Sequence, residues 1–213
     1  MTLELFPAVE ESPLHFERLA RGNNYVAVAG VDEAGRGPLA GPVVAAAVIL
    51  PEHFDLPGLT DSKKLSPAKR TTLFPLIRSQ ARAVGLGVVS AQEIDEINIL
   101  QATLKAMRLA VGRLKIPADF LLVDGITPIP LSLPQKTLKK GDSRSLSVAA
   151  ASVVAKVVRD RMMVGYERRI PGYGFAGHKG YGSADHLAAI ARLGPSLQHR
   201  RSFGGVREHL ERS

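Results

Sequence analysis

Apolar residues along this chain fall into two kinds of run: short unbroken stretches, and longer ones with a three-to-four-residue rhythm. Unbroken apolar segments bounded by Gly or Pro fit buried strands. Residues 25–29 (YVAVA), 43–50 (VVAAAVIL, between Pro42 and Pro51) and 120–123 (FLLV, after Pro117) have this form. A further strand is expected at 82–90, weakened by Gly85 and Gly87. The rhythmic stretch is 91–115, where Ile94, Ile97, Leu100, Leu104, Met107, Val111 and Leu114 predict one long helix with one buried face. A second helix is expected at 146–168, and its small residues from Ala149 to Ala155 suit close packing against a sheet, beneath the site described next. Shorter helices are predicted at 67–78, started by Ser66 and Pro67, at 184–193, between Ser183 and Gly194-Pro195, and around 14–20. Residues 127–140 and 171–183 read as Pro-rich and Gly-rich loops. The alternation of strands and helices indicates a single α/β domain over 25–213 with a mixed sheet, after a loosely packed lead-in at 1–24.

The strand ends carry the candidate chemistry. The first strand delivers Asp32 and Glu33 into a turn built from Gly35, Arg36, Gly37 and Pro38. Because side chains alternate faces along a strand, both acids share one site only if the strand ends between or just after them. Glycines at 35 and 37 allow positive φ and a close approach by a ligand. Asp124 closes another strand beside Gly125, where open α/β sheets usually hold their chemistry, and Asp142 follows in Lys140-Gly141-Asp142-Ser143. Carboxylates gathered in this way repel one another unless a cation neutralises them. Hard oxygen ligands suit Mg²⁺ or Mn²⁺, which points to divalent-metal phosphotransfer. Taken alone, Asp142 fits a turn cap equally well.

Charge adds a partner to this picture. The 213 residues carry 28 Lys+Arg against 20 Asp+Glu, a net charge of +8, and the pI is about 10.0, a balance that favours a polyanion such as nucleic acid. Tyr181, set in His178-Lys179-Gly180-Tyr181-Gly182, is placed to stack on a sugar or base. The basic pairs Lys63-Lys64, Lys139-Lys140, Arg168-Arg169 and Arg200-Arg201 read as solvated surface able to follow a phosphate backbone.

Other chemistries fit less well. With no cysteine there is no disulfide, thiolate zinc site or cysteine nucleophile. His178, His186 and His199 lack short zinc spacing, and no G-x-S-x-G elbow occurs. Residues 172–177 match G-x-G-x-x-G but follow Pro171 rather than a strand. Asp160, between Arg159 and Arg161, reads as a helix-internal ion pair. The start of the chain, with Glu4, Glu10 and Glu11, does not read as a secretory leader. The longest apolar run is far short of the roughly 20 residues that span a bilayer, so a cytoplasmic location without membrane contact is expected. A non-enzymatic nucleic-acid-binding protein and a small-molecule phosphatase are the rival readings. The first leaves the acids without purpose, and the second does the same for the basic charge and Tyr181.

Seven ordered blocks carry a resemblance: G-V-D-E-A-G-R-G-P-L-A-G-P-V at 30–43, D-S-K-K-L-S at 61–66, V-D-G at 123–125, K-G-D at 140–142, A-A-S-x-x-A-K-x-x-R-D at 150–160, H-K-G-Y-G at 178–182 and H-R-x-S-F at 199–203. Together they resemble bacterial ribonuclease HII, the type 2 ribonuclease H, over nearly the whole chain. The resemblance implies a ribonuclease H-like fold, a mixed five-stranded sheet flanked by helices with a C-terminal helical and loop segment. It implies a metal-dependent endoribonuclease, acting as a monomer with Mg²⁺ or Mn²⁺. This enzyme would cleave the RNA strand of RNA–DNA hybrids and incise 5′ of single ribonucleotides in duplex DNA, leaving 3′-hydroxyl and 5′-phosphate ends. By position, Asp32, Glu33, Asp124 and Asp142 match the family's catalytic, metal-binding acids. Gly35, Arg36 and Gly37 match the loop that senses the ribose 2′-hydroxyl, Tyr181 the stacking aromatic and Lys63 a phosphate contact.

Overall fold

The computed structural model describes residues 12–212; the acidic start with Glu4, Glu10 and Glu11 lies outside them. In chain order the elements are α1 (His15–Gly22), β1 (Val28–Ala34), β2 (Val43–Ile49), α2 (Pro67–Gln80), β3 (Ala83–Val89), α3 (Ala91–Gly112), β4 (Phe120–Asp124), β5 (Gln135–Leu138), α4 (Leu146–Arg169), α5 (Phe175–His178) and α6 (Ala184–Leu193). The five strands form one sheet in the order β3-β2-β1-β4-β5. Pairing is antiparallel from β1 through β2 to β3, and parallel from β1 through β4 to β5.

The pleat divides the sheet into two faces. Ala29 and Val31 on β1, Ala45 and Ala47 on β2, and Leu121 and Val123 on β4 pack with the buried side of α3. The alternate residues face the other way: Ala46 and Val48 meet α2 and α4, while Val28 and Leu122 pack with Val148 of α4. Glycines set how closely the helices lie. A Cβ on Gly85 or Gly87 would overlap the carbonyl of Ala110 or Ala106 on α3, and one on Gly30 would overlap the backbone of Ser147 and Val148. These glycines allow helix backbones to touch the sheet, so β3 gains contact with α3 where the sequence suggested only a weakened strand.

Several expectations are corrected. The lead-in is not loosely packed over its described part, because α1 buries Phe16, Glu17 and Ala20. Glu17 accepts hydrogen bonds from Ser145 Oγ at 2.6 Å and Ser147 N at 2.9 Å, which ties α1 to the start of α4. The long helix is broken at Asn98, whose φ is 66°. Asn98 Oδ1 accepts from the backbone N–H groups of Leu100 and Gln101 and so starts the second half afresh. The change of phase leaves Leu100 40% exposed rather than on the buried face. The stretch read as a loop at 127–140 contains β5, an edge strand whose polar sequence hides it. The glycine-rich loop contains the single turn α5. Asp160 does form the expected helix-internal ion pair, with Lys156 one turn before it at 2.8 Å.

The segment after α6 returns to the connection between β1 and β2. His199 forms a β-bridge with Ala40, and Gly41 N donates to Gln198 O at 2.7 Å. Three histidines join this strap to the loop carrying Tyr181. Because carbonyls only accept, His186 donates from Nδ1 to Tyr181 O at 2.8 Å, and its Nε2 accepts from His199 Nε2 at 3.1 Å. His199 Nδ1 accepts from Ser196 N at 2.9 Å. His178 follows the same logic, donating to Tyr173 O at 2.7 Å and accepting from Gly180 N at 3.1 Å. His186 and His199 are therefore held as neutral rings.

Two outcomes follow from this packing. Gly87→Ala lowers unfolding stability by roughly 1–3 kcal/mol, since only backbone movement relieves the overlap with Ala106; urea denaturation followed by circular dichroism checks it, and an unchanged midpoint would refute the close-approach account. For His199, burial first, then His186, push the imidazole down to about 4. The unfolded chain takes up this proton near its ordinary value of about 6.5, whereas the fold resists it. Stability is therefore complete above about pH 6.5 and falls by up to ~3 kcal/mol as the pH drops toward about 4. Denaturation midpoints across that range should fall less in His199→Gln than in the unsubstituted protein; parallel curves would count against the neutral chain.

Candidate active site

Parallel pairing places the first two acids. Val31 of β1 lies opposite Val123 of β4, so the next residues, Asp32 and Asp124, stand side by side, both on the sheet face covered by α4. Asp142 arrives from a 3₁₀ turn, Gly141–Ser143, just before α4. Lys140 takes a left-handed conformation at φ 57° to make the corner, and Gly141 N donates to Asp124 Oδ1 at 2.6 Å. Ser145, the N-cap of α4, is held by Glu17, so α1 helps to fix the segment that delivers Asp142. One carboxylate oxygen from each of Asp32, Asp124 and Asp142 lies within 4.8 Å of the others.

Glu33 is placed differently. β1 runs on to Ala34, so the Glu33 Cβ leaves the other side of the pleat from that of Asp32; its carboxylate is not among the three within 4.8 Å of one another, although its charge is felt at Asp32. It pairs with Arg36 at 3.7 Å and remains within electrostatic reach of Asp124 and Lys63. The sequence condition for sharing one site, a strand ending between or just after the pair, is met only in part.

The electrostatics record the crowding. Asp32 is pushed well up from the usual carboxylate range by burial first, then by Glu33 and Asp124. Burial, Asp124 and Asp61 raise Asp142 to about 6. Burial raises Glu33 as well, against the pull of Arg36. Partial burial disfavours the charge on Lys63, but Asp142, Asp32, Asp61 and Asp124 outweigh it and hold its ammonium above the ordinary value. Lys63 Nζ lies 3.7 Å from Asp142 Oδ2. Three carboxylates in a buried corner, with a donor set made only of hard oxygens, fit a divalent cation of the magnesium type.

The other residues singled out in the sequence lie close to one another. Tyr181 is 47% exposed, its ring lies over Lys156 Nζ and Arg159 at 5.9 and 6.0 Å, and a Cβ on Gly37 would lie 3.9 Å from it. Gly35 has φ 97°, and a side chain there would overlap Arg159. The structure thus brings Gly35, Arg36, Gly37 and Tyr181 together.

Sequence reasoning missed three residues. Asp61 accepts from Lys63 N at 2.8 Å and faces Asp142; it was visible within D-S-K-K-L-S, but only as a turn residue. Arg159 and Arg200 are fully buried. Arg200, read as solvated surface, contributes nothing to a basic exterior, and burial followed by the charge of Arg159 pushes its guanidinium down to about 9. No local pattern marks an arginine as buried, because its partners here are backbone carbonyls distant in sequence.

Comparison with known proteins agrees with this geometry. The family described as Ribonuclease HII matches residues 29–206. The chain is 68% identical over 208 residues to the ribonuclease HII of Syntrophotalea carbinolica, covering 98% of this chain and 100% of that protein. It is 64% identical over 210 residues to that of Geotalea uraniireducens, covering 98% and 97%. Among solved structures, the ribonuclease H2 of Pyrococcus horikoshii superposes with a TM-score of 0.73 at 28% identity, over 88% of this chain and 98% of that one. The Archaeoglobus fulgidus RNase HII solved in complex with PCNA gives 0.70 at 28% identity, over 84% and 95%. With the acidic corner, the mixed five-stranded sheet and this similarity over nearly its full length, the chain belongs to the ribonuclease HII family of metal-dependent endoribonucleases.

Proposed function

We propose that this ribonuclease HII hydrolyses the RNA strand of RNA–DNA hybrids and incises 5′ of single ribonucleotides embedded in duplex DNA, leaving 3′-hydroxyl and 5′-phosphate ends. The observation that carries the reading is the gathering of Asp32, Asp124 and Asp142 oxygens within 4.8 Å. A binding protein has no use for three mutually repelling acids beside the surface that meets a polyanion.

Asp32, Asp124 and Asp142 would hold Mg²⁺ or Mn²⁺, with Glu33, within electrostatic reach of Asp32 and Asp124, as the fourth acid. When bound there, a divalent cation neutralises the acids, activates water and stabilises the leaving oxygen during in-line displacement. The protein's own groups do the rest. Lys63 contacts a phosphate next to the reacting one and is held over the corner by Asp142. The Gly35-Arg36-Gly37 loop reads the ribose 2′-hydroxyl, the group that separates RNA from DNA. Tyr181 stacks on the neighbouring sugar, with the cations of Lys156 and Arg159 behind its ring. The proposed working unit is a monomer. A cytoplasmic location accords with a nucleic-acid substrate, and no helix among the described residues is long and apolar enough to cross a membrane.

A duplex containing one ribonucleotide, tested beside an all-DNA control with Mg²⁺, Mn²⁺ or chelator, examines this reading directly. Incision should occur only at the ribonucleotide and only with metal; cleavage of the all-DNA duplex would overturn it. Asp124→Asn should lower turnover on the order of 10³-fold or more, beyond the 10–100-fold typical of outer-shell partners, while duplex affinity changes little. Turnover within tenfold of the unsubstituted enzyme would remove Asp124 from the site. Tyr181→Ala should cost roughly 10- to 100-fold in ribonucleotide-junction recognition, the value of one stacked base, with a smaller change in affinity for all-DNA duplex. Equal losses in gel-shift titrations of both duplexes would exclude the stacking role.

A further inference from the structure

Arg200 and Arg159 spend their hydrogen-bonding capacity on one target, the backbone of the recognition loops. Arg200 donates from Nη1 to Arg36 O at 2.8 Å, from Nη2 to Gly35 O, and from Nε and Nη2 to Gly41 O at 3.0 and 2.9 Å. Arg159 donates from Nε to Pro42 O, from Nη2 to Ala40 O and from Nη1 to Lys179 O, each at 3.0 Å. Among the described residues, no carboxylate lies within ion-pair distance of either guanidinium. A buried, unpaired cation is an expensive way to hold a loop if holding is its only task.

Peptide geometry shows what else the contact does. In a trans peptide the C=O and the following N–H point in opposite directions. With the Gly35 and Arg36 carbonyls turned inward onto Arg200, the N–H groups of Arg36 and Gly37 are turned outward, on the side away from the guanidinium. Neither N–H donates to another backbone or side-chain group among the described residues. A cation bound to the carbonyl also polarises the peptide and strengthens its N–H as a donor. Arg159 completes the unit from the other side: it fixes Lys179 O, two residues before Tyr181, to the same 40–42 segment, and its guanidinium lies beneath the Tyr181 ring.

We propose that Arg200 is a specificity-determining positioning residue, which aims and polarises the Arg36 and Gly37 amides toward the ribose 2′-hydroxyl, and that Arg159 locks the Tyr181 loop to the same ledge. The inference rests on the reading of residues 35–37 as the 2′-hydroxyl sensor. It accounts for two unpaired cations buried behind a loop of three residues, and it assigns discrimination between RNA and DNA to side chains that never touch the nucleic acid.

The test measures binding in the Asp124→Asn background, where cleavage is blocked, as the ratio of affinities for a duplex with one ribonucleotide and the matching all-DNA duplex. Arg200→Lys keeps the charge but loses the fork that holds Gly35 O and Arg36 O together. The ratio should fall roughly 10- to 100-fold, the worth of a hydrogen bond to a charged group, while all-DNA affinity stays within a factor of about three. A folded Arg200→Lys variant that keeps the full ratio overturns the inference alone. A parent protein with no preference for the ribonucleotide overturns the reading beneath it. Should Arg200→Lys not fold, hydrogen exchange in the Asp124→Asn protein decides. The Arg36 and Gly37 amides should exchange fast when free and be protected by the ribonucleotide duplex but not by all-DNA; slow exchange in the free protein, or equal protection by both duplexes, would overturn the proposal.

Discussion

Mutual repulsion between carboxylates is the constraint on which the rest of the site depends. β1 and β4 run parallel and in register, so Asp32 and Asp124 lie next to each other on one face, and the turn before α4 adds Asp142. Burial and proximity raise Asp32 and Asp142 together, which means the fold holds the acids in an arrangement they would not choose. That arrangement requires rigid supports. α4 supplies one by lying against β1 at Gly30 with no side chain between. α1 supplies another by capping the start of α4 through Glu17.

The loops proposed to read the ribonucleotide are built on the opposite electrostatic logic. Two arginines are buried with backbone carbonyls as their hydrogen-bond acceptors, all of them in residues 35–42 or at Lys179. Negative charge gathered at the acidic corner and positive charge behind residues 35–42 give the site a polarity suited to a phosphodiester backbone. Screening by solvent is weak at both places because both are buried. The histidine chain connects this half to the C-terminal strap through neutral rings only, so it adds rigidity without adding charge.

Strand ends beside glycine, the small-residue helix and the cap residues at Ser66 and Ser183 were all legible in the sequence, because each depends on neighbours within a few positions. The nature of the chemistry was legible too: four acids at turns or strand ends in a basic chain already implied a divalent cation and a polyanion. β5 was not legible, since an edge strand of polar residues lacks the alternation that marks a half-buried one. Nor was the break at Asn98, because the apolar rhythm continues across it while the backbone does not.

What the sequence determined by itself was therefore local: which segments bury an apolar face, where they stop, and which functional groups stand at those stops. Only the tertiary structure decided which of these groups meet. It put Asp32 with Asp124 and Asp142, because pleat and register are settled by pairing between distant strands. It also turned Arg200, read from the sequence as a surface cation, into the buried support of residues 35–41. Its partners at Gly35, Arg36 and Gly41 lie more than 150 residues away in the chain, and no local pattern encodes contacts at that separation.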